Sequence, residues 1–230
     1  MTPWQLFLLD IVKTLIGAFV GALLAFWVNR LTENRKIERE QRAACNLALT
    51  LLSKQYGDFL ISKASVASNK KGALELWPGL PLWMQLQPTL FTFSVKQNLD
   101  IDSIAFLLEG HANIVERLLH AEVGYQSLQS LFEHLNEAAI RRDEIFAAHG
   151  GADNTPIDIL EEWVGLAIVG KLSAVINSID ARLAADGDMY RKAGESLQQL
   201  MIQTYGEKNV VSFKPLGADM KKIAAAIQAT

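Results

Sequence analysis

Residues 4–28 read Trp4-Gln-Leu-Phe-Leu-Leu-Asp10-Ile-Val-Lys13-Thr14-Leu-Ile-Gly17-Ala-Phe-Val-Gly21-Ala-Leu-Leu-Ala25-Phe-Trp27-Val28, a long apolar stretch with two charges inside it. At ~1.5 Å of rise per residue a helix over these positions is roughly 36 Å long, which suits a hydrocarbon layer of about 30 Å with some tilt. Trp4 and Trp27 stand near its ends, where an indole ring favours the lipid–water boundary. The sequence therefore predicts an all-α protein in which residues 1–29 form one transmembrane helix. A helical bundle with a long coiled-coil-like helix is expected to follow.

Orientation follows from the flanking charge. No basic side chain precedes the stretch, whereas Arg30, Arg35, Lys36, Arg39 and Arg42 come directly after it. Basic flanks stay on the cytoplasmic side, so the N-terminus is expected outside and the C-terminal part inside, as for a single-pass protein of a bacterial inner membrane. A cleavable signal peptide has the opposite order, a positive segment before a shorter apolar run. Arg30, Arg35, Lys36 and Arg39 are also the candidates for contact with anionic headgroups, although a simple positive stop to insertion is the better explanation of them. The single cysteine, Cys45, excludes an internal disulfide framework and fits a reducing compartment. A net charge of −3 and a pI near 5.8 give no electrostatic ground for nucleic-acid binding.

Spacing the apolar stretch at ~100° per residue divides it into two faces. Asp10, Thr14, Gly17, Gly21 and Val28 share one line, with Lys13 and Ala25 to either side, while Val12, Leu15, Ile16, Phe19, Leu23 and Phe26 cover the other face. Gly17, Gly21 and Ala25 form a small-residue groove through which a second helix backbone can approach closely. Asp10, Lys13 and Thr14 are the candidate polar site within the membrane. An ionised carboxylate at that depth needs a partner or water. Two readings of Asp10 remain open on the sequence. In one, it pairs with Lys13 along the helix, or both mark the membrane edge. In the other, several copies of the helix bring Asp10 and Thr14 around a common axis.

The remaining chain divides by pattern into a stalk and first soluble helix over 30–72, a Pro/Trp-containing loop over 73–101, and a cytoplasmic helical domain over 102–230. Leu47, Leu51, Leu52, Tyr56, Phe59 and Leu60 are the expected core positions of the first soluble helix, which should end near 68–72. The segment Trp77-Pro-Gly-Leu-Pro-Leu-Trp83-Met84 is too broken by proline for a regular element, and is expected to fold back over a core or to form a surface patch. Asp102 is the expected N-cap of a helix over about 103–148, closed by Gly150 and Gly151. Two heptad rows run along it. One is Ile104, His111, Leu118, Tyr125, Phe132, Ala139 and Phe146; the other is Leu107, Ile114, Ala121, Leu128, Leu135 and Arg142. Gly110 and Gly124 are its points of weakness. Thr155-Pro156 with Asp158 starts a helix over about 156–185 containing the apolar run 163–169, expected to be buried. A further helix covers about 189–205, residues 210–213 are extended, and a last helix follows Pro215.

No local motif for catalysis, phosphate binding or metal binding is present. The four histidines (His111, His120, His134 and His149) lack ligand spacing, and Cys45 lies in an apolar helix without a neighbouring histidine. The reading is of a non-enzyme with no cofactor and no metal. In its layout, a single N-terminal span joined directly to a helical domain, the chain resembles the single-span membrane effectors of bacterial anti-phage defence, including the Hailong type. Members of that group assemble into membrane channels that arrest or kill the host. The resemblance implies a homo-oligomer in the membrane lipid whose helices form an ion-permeable path. It also implies a cytoplasmic domain that responds to a regulatory partner or a nucleotide-like ligand. The alternative is a membrane-tethered scaffold or receptor that docks a cytoplasmic partner on its helical domain.

Overall fold

The computed structural model describes residues 3–88, 93, 98–153 and 155–215, with the side chains of residue 3 and of residues 5–12 outside the description. The described residues are helical and contain no strand. Helix α1 runs over Pro3–Leu76, followed by a short α2 over Leu82–Gln85. A 3-10 turn over Asp102–Leu107 leads into α3, Leu108–Ala148. Then come α4, Ile157–Val164, α5, Leu166–Ala185, and α6, Gly187–Tyr205. The chain divides into two units, Met1–Ala44 and Cys45–Thr230. The boundary falls inside the segment 30–72 that the charge pattern had set apart as stalk and first soluble helix.

Among the described residues one helix, α1, is long and apolar enough near the N-terminus to cross a membrane, with a window of mean hydropathy 1.6 none of which is buried. In the second unit α3 is the central element. Both of its heptad rows turn inward: Ile114, Leu118, Ala121, Tyr125, Leu128, Phe132, Leu135, Ala139 and Arg142 are buried. Their neighbours are α4, α5 and α6 of the same chain, and the Cys45–Leu76 part of α1 bonds to α3. The coiled-coil-like repeat is thus satisfied within one chain. His111 is the exception. It lies beside Gly110 at a kink (φ −140, ψ 39) and is exposed, so the row is interrupted where the helix bends. Gly124 does not bend α3; a Cβ there would stand 2.5 Å from Met189 Cε, so its bareness lets α6 approach.

Local expectations are corrected in several places. Asp102 is not a cap but the first residue of the 3-10 turn; Asp100 Oδ1 instead accepts the Ser103 N–H at 3.4 Å. The core face of α1 is rotated from the one expected. Leu47 is exposed and Leu51, Tyr56 and Leu60 are half-buried, while Ser53, Gln55, Asp58 and Ser62 are buried beside Leu49, Leu52 and Phe59. Three of these four polar side chains are tolerable there because they hydrogen-bond, whereas the Ser53 hydroxyl is buried without a partner. Gln55 Nε2 donates to Glu122 at 2.7 Å, Tyr125 OH donates to Asp58 at 2.6 Å, and Ser62 Oγ donates to the Asp58 carbonyl at 2.8 Å.

The helix expected over 156–185 is two helices, broken at Gly165, whose φ of +81 is open to glycine at little cost. The apolar run 163–169 is consequently not a buried segment: Val164 is buried, but Leu166 is 79% exposed and Ala167 is exposed. Finally, α4 starts at Ile157 after Pro156 without a side-chain cap, one position later than expected from Thr155. Helix α1 also continues to Leu76, past the expected end near 68–72, and Leu82–Gln85 form a short helix in a segment expected to hold no regular element. Gly150 and Gly151 close α3 with positive φ, the Gly151 N–H reaching the Phe146 carbonyl at 2.9 Å. The Trp-containing loop folds back: Trp83 and Leu86 are buried, while Trp77 stays exposed. Residues 210–213 are not helical, and the helix expected after Pro215 lies outside the described residues.

Candidate membrane site

The residues singled out for the membrane all lie on the N-terminal part of α1. Asp10 belongs to that helix, but its side chain lies outside the described residues. Lys13 and Thr14 are exposed, one helical position apart and next to the small-residue face. Gly17 and Gly21 have open space where a Cβ would be, with no atom within 4 Å, and Ala25 is exposed on the same side. The bulky side chains are exposed too: Leu15, Ile16, Phe19, Leu23, Phe26 and Trp27 each show more than half of their surface. Among the described residues nothing covers this segment, and an apolar surface of this extent is unstable in water.

A side-chain change of character follows at Val28. Thr32 Oγ1 donates back to the Val28 carbonyl at 2.8 Å, a bond that returns a polar side chain to the backbone of its own helix. Beyond it Arg30, Arg35, Lys36 and Arg39 are all exposed. Lys36 pairs with Glu40 at 3.8 Å, and both side chains are mostly in solvent, which makes the pair worth little. The stretch thus changes within a few residues from apolar side chains to solvated charge.

The second unit presents chemistry of a different kind. Cys45 is buried, and that burial pushes its thiol up to about 11, away from the reactive thiolate. Of the four histidines, His149 stacks on Trp163 with ring centres 4.3 Å apart, while His111, His120 and His134 are exposed on α3. Among the described residues no three His, Cys, Asp or Glu side chains gather as a metal site would require. Sequence reading missed the buried carboxylates Asp58 and Glu122; their only signal was a polar residue out of phase with the apolar rows. It also missed a strap of chain after α6. Asn46 clamps the strap with both ends of its amide, Nδ2 donating to the Asn209 carbonyl at 3.0 Å and Oδ1 accepting the Val211 N–H at 2.9 Å. Phe213 then stacks against Tyr56 with centres 5.9 Å apart.

What the fold and the site define together is an all-helical chain with one apolar, uncovered N-terminal helix segment and a separate helical unit that has its own core. No family model matches the chain, and neither a curated protein nor a solved structure is found similar to it.

Proposed function

We propose that the protein is anchored in a membrane by residues 1–29 and associates there with copies of itself, forming or gating an ion-permeable path. The observation that carries this reading is the uncovered apolar segment of α1, whose Gly17 and Gly21 leave one face open to a second backbone. Asp10, Lys13 and Thr14 would then border the path, and Gly17, Gly21 and Ala25 would set how closely the helices approach. The basic residues Arg30, Arg35, Lys36 and Arg39 support an orientation with the helical unit in the cytoplasm, at the headgroups of an inner membrane. The layout is that of the single-span channel effectors of anti-phage defence, so a role in such defence is part of the proposal. A partner or nucleotide-like signal acting on the helical unit would supply the trigger.

The test is ion leak from liposomes containing the purified protein, paired with cysteine cross-linking in a Cys45→Ser background. Disulfide-linked dimers are expected for Gly17→Cys or Gly21→Cys and not for Phe19→Cys. Leak is expected to fall about tenfold in Asp10→Ala, as for a polar site that lines a conduction path. Leak that is unchanged by Asp10→Ala, or a chain that stays monomeric in bilayers, overturns the reading. A second reading is favoured by the apolar edge at the α4–α5 junction, where Leu166 is 79% exposed and Ile159 is 38% exposed. In it the protein is a tethered scaffold or receptor, and replacing residues 4–28 by a poly-leucine span leaves its function intact.

A further inference from the structure

The helical unit holds a cleft of about 760 Å³, a size typical of small-molecule sites. Trp77, Met84 and Gln85 line it from the segment after α1, and Arg142, Phe146 and Asp153 line it from α3 and its exit. Three features decide what it would take.

The first is Gln85, which is 7% exposed. Its Nε2 donates to the Trp77 carbonyl at 3.1 Å and to the Leu80 carbonyl at 2.5 Å, while its Oε1 is buried with no hydrogen-bond partner. Turning the amide over would set an oxygen against two carbonyls, so the orphaned atom stays an acceptor. That atom is closed off from the cleft as well, so Gln85 braces the wall and offers nothing to a ligand. The second is Arg142. Its NH1 donates to the Trp83 and Leu86 carbonyls at 2.5 and 2.9 Å, and its Nε and NH2 both engage Asp143 Oδ1. That guanidinium is committed to the protein and offers little to an anion. The third is Asp153, an exposed carboxylate with no ion pair among the described residues. The lining thus carries one arginine against two aspartates, Asp143 and Asp153. Such a balance repels anions and attracts cations. Trp77, 47% exposed, and the half-buried Phe146 add aromatic surface, whose faces also favour a cation.

We propose that this cleft binds a small organic cation, an aromatic amine or amidinium, with Asp153 as counter-ion and the ring of the cation against Trp77 and Phe146. The site lies wholly within the second unit and does not depend on the role of the N-terminal helix. The test uses the full-length protein in detergent, with 4-fluorobenzamidine followed by ligand-observed fluorine NMR and 4-fluorobenzoate as the anion of matching shape. Saturable binding of the amidine, displaced by unlabelled benzamidine, is expected, with none for the benzoate. Asp153→Asn should weaken binding about tenfold, as loss of a charge-assisted partner does. Phe146→Ala should weaken it too, and Asp188→Asn, on α6 outside the cleft, should leave it unchanged. Near-UV circular dichroism of each variant reports whether the fold is kept. Failure of the amidine to saturate, equal binding of the benzoate, or full affinity in correctly folded Asp153→Asn overturns the proposal.

Discussion

Arg142 is the largest fully buried side chain among the described residues, and its position shows what a single residue can decide. It stands in a heptad row among Leu128 and Leu135, where an apolar residue would pack, yet its guanidinium holds two backbone carbonyls of the loop around α2. Removing it leaves those carbonyls buried without a donor, which is costlier than the net value of the bonds themselves. Arg142→Met is therefore expected to destabilise the helical unit by about 3 kcal/mol, the range for breaking a buried charged interaction. The loss should appear as a lower midpoint in thermal unfolding followed by near-UV circular dichroism. The sequence revealed that a polar residue interrupts the row at 142. It did not reveal the partner, because Trp83 lies 59 residues away and its carbonyl carries no side-chain signature.

At the scale of elements, α3 was legible because two heptad rows and a closing glycine pair agree on one helix; its entry was not, since Asp102 opens a 3-10 turn where a cap was expected. Gly165 was not, since a lone glycine in a helical pattern reads as tolerated until its φ is known. The strap after α6 shows the same limit. Phe213 sits over Gly194, where an added Cβ would collide with the ring, and beside Tyr56. Gly194→Ala is expected to expel Phe213 and release the strap, at about 2 kcal/mol, the scale of overpacking a closed contact. Faster tryptic cleavage after the exposed Lys208 would register the release, and an unchanged digestion rate would show that the ring moves aside without cost.

For the whole molecule, the division at Ala44 and Cys45 is the governing fact. Among the described residues every buried side chain lies at or beyond Cys45, so the second unit has a core of its own. A chain of residues 45–230 is accordingly expected to remain helical and to unfold within about 3 °C of the full-length protein, a shift corresponding to about 1 kcal/mol at this length. It should also need no detergent to stay in solution. Calorimetry and sedimentation of the truncated chain check both points; aggregation or loss of the near-UV signal would show that the first unit is needed for the fold.

Periodicity, charge placement and proline by themselves determined the helical class, the apolar N-terminal segment and the C-terminal end of α3. These are local or one-dimensional properties, readable because hydrophobic side chains must repeat at the helix period to share a face. Only the tertiary structure decided which face of α1 is buried, which carbonyls Arg142 holds and where a cleft opens beside Gln85. Those outcomes depend on pairs of residues far apart in the chain. Polar side chains such as Gln55 and Asp58 can enter a core only when distant partners such as Glu122 and Tyr125 arrive to meet them.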